Sequence, residues 1–387
     1  MTERAQPGEA ELNIRALLAA SVLACIVAIA IAGVVVSRSD TGRFTTALTE
    51  DVEAYEAIAT DILNGHLPYV DVAVEHLPVA VGTMVLVGLV SDIAGTDYWL
   101  LWVITMGAAF VMSVVVSKRI ESTALPQRYL IAAAPLLPLV LFRVEPLAGL
   151  AVSASVAAFL AGRWVAGSVW TIAGSFTKGW PIVVAIIPWK LHKRTVATTV
   201  AAVVAVGLAA VALSPGFQSV RSFDGIHSET LLGGLVLLLR HMTGSALELE
   251  QSAGAVYVSV PAWLPFVNAL PGFAAIAYAL SSLRRTPTQA GRILAVLGLA
   301  VAGIMLASPL FSTQFLFWLA LFVAAGTLPV RWLYAATSVV GLLVVSVFEP
   351  SALWWAVAVV AKNSLFVGVV MLFVLAVRRG AKTTSTT

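Results

Sequence analysis

Apolar residues occur along this chain in long uninterrupted runs that are separated by short polar turns. The runs are roughly 15 to 25 residues long, which is the length at which an α-helix crosses the hydrocarbon layer of a bilayer. None of them alternates between apolar and polar positions, as the strands of a membrane barrel do. The pattern therefore predicts an all-α, polytopic transmembrane protein with about twelve spans.

The composition excludes several classes of protein. Hydrophobic residues make up 60% of the 387-residue chain and charged residues only 11%. The mean hydropathy is +0.96, which excludes an ordinary water-soluble globule. The net charge of +3 comes from loop lysines and arginines that orient membrane helices, so we expect membrane lipids and no nucleic acid among the partners. The single cysteine, Cys25, leaves no intramolecular disulfide.

Basic clusters assign the polar segments to the two sides of the membrane. Under the positive-inside rule, the segments around Lys118, Lys193 and Arg284 face the cytoplasm. We expect both termini to be cytoplasmic and a single membrane domain to present two polar regions on the extracytoplasmic side. The predicted segments are a tail at 1–14, the membrane domain at 15–377 with its outer loop 38–77 and second outer region 214–260, and a tail at 378–387.

Three apolar stretches do not fit the pattern of simple crossings. Full crossings by both 79–90 and 98–116 would return the chain to the wrong side, so we interpret 79–90 as lying along the interface. The alternative is that Lys118 is not cytoplasmic. The stretch at 231–239 is too short to span, and a pair of short helices meets at Phe176–Gly179. Broken helices of this kind predict the lining of a polar cavity.

The outer loop 38–77 holds eight of the chain's 20 acidic residues. Within it, apolar residues from Val52 to Ile62 recur at spacings of three and four, which predicts an amphipathic helix. Thr49 is the expected N-cap, and Asn64-Gly65 the expected end. Asp51 would then lie in the first turn, where the helix dipole favours its ionised form. A fixed, ionised carboxylate beside a membrane suits a general base.

The order of residues in this loop and beyond resembles a known family. Asp51 is followed by Tyr55, by the run Gly65-His66-Leu67-Pro68-Tyr69-Val70-Asp71 and by Glu75-His76-Leu77-Pro78. Four later stretches extend the pattern, namely Phe142–Pro146, Phe176–Pro181, His227–Glu229 and Ser312–Leu319. Over roughly residues 10 to 330, the set resembles polyprenyl-phosphate-dependent membrane glycosyltransferases of the GT-C architecture, most of all the actinobacterial family 87 mannosyltransferases.

The resemblance implies an enzyme that acts on the extracytoplasmic face. It would transfer a sugar, mannose in these relatives, from a lipid-linked polyprenyl-phosphate donor to an envelope glycolipid or glycan acceptor, with inversion. Asp51 would take the proton from the acceptor hydroxyl. The residues implied to bind the donor phosphate or the substrate are Arg143, Glu145, Lys178, His227, Glu229, Tyr55, Tyr69, Asp71 and Gln314.

The chain departs from the family pattern at three places. Glu145 replaces an aspartate, His76-Leu77 replaces tyrosine-proline, and Thr313 replaces a proline. These changes leave a non-catalytic scaffold of the same descent as an alternative. A transporter or lipid flippase is the alternative from another class. It predicts inverted repeats and midplane charges in both halves, whereas the sequence has no convincing internal repeat and its candidate site residues gather at one face.

Other roles stay open for several residues. A divalent metal is an alternative at His66, Asp71, Glu75 and His76, although their spacing matches no closed metal site. Arg143 has a structural ion pair with Glu145 as its alternative role. Lys362, inside the last apolar run, is interpreted as snorkelling to the interface. Tryptophans near span ends are interpreted as interfacial anchors, among them Trp180, Trp263 and Trp332.

Overall fold

The fold is almost entirely helical. The computed structural model describes residues 7–38, 43–121, 124–190, 192–212, 225–246, 249–252, 255–283, 289–346 and 352–382. Its α-helices are α1 (Pro7–Arg38), α2 (Arg43–Leu63), α3 (Pro78–Ala94), α4 (Tyr98–Ser117), α5 (Ala124–Ala133), α6 (Leu137–Val140), α7 (Glu145–Leu160), α8 (Trp164–Lys178), α9 (Lys193–Ala212), α10 (Leu231–Thr243), α11 (Leu264–Leu283), α12 (Ala290–Ala307), α13 (Ala320–Ala324), α14 (Leu328–Ser346) and α15 (Leu353–Lys382). Three 3-10 helices cover Ala134–Leu136, Trp180–Lys190 and Thr313–Leu319, and the strands are β1 (Ile226–His227), β2 (Leu249–Ser252) and β3 (Ala255–Val258).

Six helices in the described part of the chain are long and apolar enough to cross a membrane. They cover Ile14–Ala32, Tyr98–Ser117, Leu264–Leu283, Ala290–Ala307, Leu328–Ser346 and Leu353–Arg379. This confirms the prediction of an all-α, membrane-embedded protein. Helical structure extends into both predicted tails, because α1 begins at Pro7 and α15 continues to Lys382.

The start of α2 differs from the prediction. The helix begins at Arg43, so Thr49 lies inside it and is not the N-cap. Asp51 is therefore eight residues past the first residue of the helix, and the first turn contains no acidic residue. The dipole argument for Asp51 is wrong for this reason, since that effect fades within the first turn. The predicted end is correct, because Gly65 takes a left-handed φ of 98° directly after the helix.

Helix α3 packs along α2. A Cβ atom on Gly88 would lie 3.1 Å from the Cβ of Ala59, so the two helices touch closely. The connecting loop returns to the middle of α2, where the ring of His76 lies 5.0 Å from that of Tyr55. The interpretation of 79–90 as an interfacial segment stays a prediction.

Helices α7 and α8 form a hairpin that leads into a long 3-10 helix. The hydroxyl of Ser155 donates to the carbonyl of Gly167 at 2.8 Å across the hairpin. Gly179 has a φ of 74°, which glycine adopts readily, and it ends α8 before Trp180–Lys190 begins. The helix break predicted at Phe176–Gly179 is therefore present.

The described part of the second outer region contains a short helix and a small sheet, and no helix long enough to span a membrane. Residues 213–224 lie outside the described part of the chain. The remainder contains the 13-residue α10 and an antiparallel sheet of order β1-β3-β2. In that sheet Val258 pairs with Ile226 on one side and with Leu249 on the other. Thr230 caps α10 by accepting a hydrogen bond from the backbone N–H of Gly233, which fixes the residues just before the helix.

Candidate functional site

Charged side chains from five separate parts of the chain form three ion pairs. They come from the middle of α2, from the turn that opens α7, from the end of α8, and from the segments around α10 and α15. We call this group the charged cluster, and its six members are Asp51, Arg143, Glu145, Lys178, Glu229 and Lys362. Three carboxylates and three cations balance within it, as partly buried charges require.

The first ion pair joins Asp51 and Arg143. Both side chains are only partly exposed, at 26% and 18% respectively. Burial lowers the pKa of Arg143, while the nearby Glu145, Glu229 and Glu50 oppose that effect. Arg143 stays charged because a guanidinium is not deprotonated in proteins. The positive charge beside Asp51 therefore comes from the Arg143 side chain and not from the expected helix dipole. The ion-pair partner of Arg143 is Asp51 and not Glu145.

The second ion pair joins Glu145 and Lys178, with 3.3 Å between Oε1 and Nζ. Glu145 is 1% exposed and occupies the first turn of α7, where the helix dipole favours an anion. Neither of its carboxylate oxygens accepts a geometrically good hydrogen bond from the described residues, although the lysine lies within ion-pair range. A buried carboxylate with this spare accepting capacity is suited to hydroxyl groups of a ligand.

The third ion pair is part of a larger lock around Glu229. One oxygen, Oε2, accepts from Lys362 Nζ at 2.8 Å, from the Thr313 hydroxyl at 2.8 Å and from the Thr313 backbone N–H at 3.0 Å. The backbone carbonyl of Glu229 also accepts from the amide of Asn363 at 2.9 Å. We call these four residues the Glu229 lock. It ties the segment before α10 to α15 and to the 3-10 helix at 313–319.

His227 precedes Glu229 by two residues and is also buried. It is 4% exposed, and its Nδ1 lies 3.0 Å from the carbonyl oxygen of Phe311, so that nitrogen is the donor. Burial lowers the pKa of His227 below its usual 6.5, and Glu229 only partly offsets this. For Glu229, burial raises the pKa, but Lys362 and His227 and the hydrogen bonds outweigh burial and lower it overall. The site therefore holds a neutral imidazole beside an ionised carboxylate at neutral pH.

Three further candidate residues lie in α2 and in the loop that follows it, namely Tyr55, Tyr69 and Asp71. The ring of Tyr55 is 2% exposed, and burial followed by the charges of Glu145 and Glu75 raises its pKa. The hydroxyl of Tyr69 donates to the His76 carbonyl at 2.8 Å, and its own pKa is raised to about 12 by burial. Asp71 accepts from the backbone N–H of Leu67 at 2.8 Å. The contacts of Tyr69 and Asp71 lie within the loop after α2, and only Tyr55 is shown close to a member of the charged cluster, Glu145.

Aromatic rings line the side of the cluster next to Lys178. Its Nζ lies 5.7 Å from the centre of the Phe315 ring, which stacks on Trp318 at 4.3 Å. Trp318 in turn stacks on Trp180 at 5.3 Å. Trp180 is 5% exposed, so its interpretation as an interfacial anchor is wrong. Gln314, beside this stack, accepts from the Ser312 hydroxyl at 3.2 Å.

Sequence patterns missed the roles of three residues of the site. Lys362 is fully buried and paired with Glu229, so its interpretation as a snorkelling residue is wrong. A lysine within an apolar run did signal this, because such charges pair inside the bundle more often than they stand alone. Thr313, noted only as a departure from the family pattern, donates twice to Glu229. Nothing in the sequence indicated Asn363.

The histidines of the outer loop do not build a metal site with the neighbouring acids. His76 Nε2 lies 3.6 Å from Glu75, and His66 Nδ1 lies 4.0 Å from Asp61. Across the residues that the structure describes, no group of three or more metal-binding side chains is assembled. These two histidines are therefore each near a single carboxylate, and the ring of His76 also contacts that of Tyr55.

Comparison with known proteins adds no relative to this description. No family model, no curated protein and no solved structure matches the chain.

Proposed function

We propose that the protein is an integral-membrane glycosyltransferase that uses a polyprenyl-phosphate sugar. It transfers the sugar, by the family resemblance mannose, to an envelope glycolipid or glycan acceptor, inverting the anomeric carbon. The observation that carries this proposal is the pairing of Asp51 with Arg143 beside the pair of Glu145 with Lys178. These four residues come from three separate stretches of the chain, and each stretch belongs to a motif that resembles the family's.

The cluster offers the groups that such a transfer needs. Asp51 is the general base that takes the proton of the acceptor hydroxyl. The hydroxyl oxygen bonds to the anomeric carbon while the bond from that carbon to the phosphate oxygen breaks. The electron pair stays on the departing polyprenyl phosphate, whose charge Arg143 and Lys178 neutralise. The carboxylate oxygens of Glu145 accept hydrogen bonds from hydroxyl groups of the sugar.

Because Arg143 is paired with Asp51, the donor binds before Asp51 acts as the base. A carboxylate bound by a guanidinium is a weaker base than a free one, because the cation stabilises the ionised form. Arginine binds phosphate bidentately, so the donor competes with Asp51 for Arg143. Donor binding then releases the Asp51 carboxylate at the moment when an acceptor hydroxyl needs a base.

The proposal includes an architecture and an orientation. In this proposal the six long helices, together with shorter apolar helices such as α5 with α6 and α7, form a GT-C-like fold with about twelve spans. The charged cluster faces the extracytoplasmic side, and both termini are cytoplasmic. Arg143 and Lys178 supply the positive charge that the donor phosphate meets.

The proposal is tested in cells whose own copy of the gene has been deleted. Wild-type protein is expected to restore mannose-containing envelope glycolipid, and Asp51→Asn is not. Asp61→Asn is the matched control, because Asp61 lies on the same helix and pairs with His66 outside the cluster. Full restoration of the glycolipid by Asp51→Asn would favour a transporter or a scaffold over an enzyme.

A further inference from the structure

Lys362 is a buried cation that the proposed reaction does not use. It lies fully buried inside the last candidate span, Leu353–Arg379, and its Nζ donates to Glu229 Oε2 at 2.8 Å. Replacing a buried ion pair by apolar residues of similar volume is often neutral or stabilising, so stability alone does not account for this lysine. Its role therefore depends on what Glu229 would do to its neighbours without it.

The 3-10 helix that begins at Thr313 joins the Glu229 lock to the second ion pair. The hydroxyl and the backbone N–H of Thr313 both donate to the Glu229 carboxylate. Two residues further on, the centre of the Phe315 ring lies 5.7 Å from Nζ of Lys178. Lys178 in turn pairs with Glu145 at 3.3 Å. The Glu229 carboxylate is therefore attached to the part of the bundle that contains the rest of the charged cluster.

Arg143 lies in the electrostatic field of Glu229 as well as beside its own partner, Asp51. Burial lowers the pKa of Arg143, and the charges of Glu145 and Glu229 are among those that raise it. Asp51 and Glu229 thus attract the same guanidinium. Arginine pairs best with one carboxylate at a time, through two parallel hydrogen bonds. The carboxylate that Arg143 binds therefore depends on which of the two already has another cation, and Glu229 has Lys362.

We propose that Lys362 is a positioning residue which, by pairing with Glu229, leaves Arg143 to Asp51. Glu229 is 13% exposed and Asp51 is 26% exposed. Without Lys362, Glu229 would be the more buried of two unpaired carboxylates and would gain more from the guanidinium. The choice of partner rests on these contacts, and only its consequence for sugar transfer rests on the proposed function.

Thr313 makes this arrangement a departure from the family pattern. That pattern has a proline at this position, and proline has neither an N–H nor a hydroxyl to donate. Thr313 donates both to Glu229, and the side-chain amide of Asn363 donates to the Glu229 backbone carbonyl at 2.9 Å. Neutral donors thus hold the carboxylate beside Lys362, which keeps it from turning to Arg143.

The test places a thiol at position 51 and needs no sugar donor. In purified Cys25→Ser protein that also carries Asp51→Cys, the pH dependence of alkylation by iodoacetamide gives the pKa of the introduced thiol. Arg143 should hold this pKa about one pH unit or more below the usual value of about 8.5. Lys362→Met should raise it by about one pH unit, because Arg143 then turns to Glu229. Adding Glu229→Gln should restore the lower value, because the competing carboxylate is gone.

The variant Arg143→Gln separates an effect through Arg143 from a direct effect of the Lys362 charge on the thiol. In that background Lys362→Met should change the thiol pKa much less, because the guanidinium that changes partner is absent. An equal rise with and without Arg143 would overturn the positioning role, and so would the absence of any rise when Arg143 is present. Lys362→Arg keeps the cation and is the matched control. Every variant keeps the other nearby charged groups, namely Glu50, Glu145 and Lys178.

A milder variant keeps the inference testable if Lys362→Met does not fold. Thr313→Val removes one donor from the Glu229 carboxylate and leaves Lys362 in place. It should raise the thiol pKa in the same direction by a smaller amount, and an unchanged pKa would count against the inference. The expected thiol pKa values together with a lack of sugar transfer by wild type would support the role of Lys362 and sink only the enzyme.

Discussion

At the scale of single residues, the Asp51 carboxylate is paired with Arg143, which is distant in sequence, and does not lie at the N-terminus of its own helix. The sequence indicates Asp51, Arg143, Glu145 and Lys178 because each sits in a recognisable local pattern. Which cation pairs with which carboxylate is set by the packing of α2, α7 and α8, and no local pattern contains that information. Arg143 is only two residues from Glu145, the partner that the sequence suggests for a structural ion pair. In the structure, however, Arg143 pairs with Asp51, and Glu145 pairs with Lys178.

Lys178 is predicted to act in donor binding. Lys178→Ala should raise the KM for the polyprenyl-phosphate donor by about 10-fold or more, because a hydrogen bond to a charged group contributes about 1.5–3 kcal/mol. Lys178→Arg keeps the charge and should lose much less. Donor saturation kinetics measure the effect, and Lys193→Ala, an exposed lysine at the start of α9, is the control. Donor saturation identical to wild type in Lys178→Ala would remove Lys178 from the phosphate site.

The Glu229 lock makes a prediction about stability. Lys362→Met leaves the Glu229 carboxylate partly buried without its ammonium partner, which should cost about 3–5 kcal/mol of unfolding free energy. The double variant with Glu229→Gln should recover most of that loss, because no unpaired charge remains. Denaturation of the detergent-solubilised protein measures both. A single variant as stable as wild type would mean that the pair does not carry the predicted coupling.

At the scale of elements, the sequence predicts breaks in helices better than the starts of helices. The break at Gly179 follows from a glycine that can take a positive φ before a proline-containing segment. The start of α2 was placed at Thr49 because threonine followed by acidic residues is typical of an N-cap, yet the helix continues back to Arg43. The buried position of Trp180 depends on the ring of Trp318, which is distant in sequence.

Close packing of α11 and α12 predicts a sensitive glycine pair. A Cβ atom on Gly303 would lie 2.8 Å from the carbonyl oxygen of Gly272, so neither position has room for a side chain. Gly272→Ala should therefore destabilise the protein by about 1–3 kcal/mol through overpacking. Gly82→Ala in α3 meets nothing within 4 Å and should instead stabilise it by about 0.5–1 kcal/mol. Thermal unfolding measures the stability of both variants. Equal unfolding temperatures for Gly272→Ala and Gly82→Ala would contradict the close approach of α11 and α12.

At the scale of the whole molecule, the apolar runs predict the helical membrane class, since length and hydropathy alone decide it. They do not predict the small sheet or the apolar cavity between α11 and α15, because both arise where segments distant in sequence meet. The orientation of the bundle is a prediction from loop charge.

Cysteine labelling tests that orientation. In a Cys25→Ser background, Asp71→Cys should react with a membrane-impermeant thiol reagent added to intact cells, and His192→Cys should not. Both positions are exposed in the structure, so access to the reagent depends on the side of the membrane. Labelling of position 192 alone would reverse the orientation and place the charged cluster in the cytoplasm.

The most direct measurement is sugar transfer by the purified protein in proteoliposomes that contain polyprenyl-phosphate-[14C]mannose and extracted envelope lipids. Wild type should form a labelled glycolipid, and Asp51→Asn should form it about 10²–10⁴-fold more slowly, which is the usual contribution of a general base. Transfer by Asp51→Asn at the wild-type rate would contradict the assignment of Asp51. An absence of transfer by both proteins across a panel of polyprenyl-phosphate sugars would contradict the assignment of the protein as a glycosyltransferase.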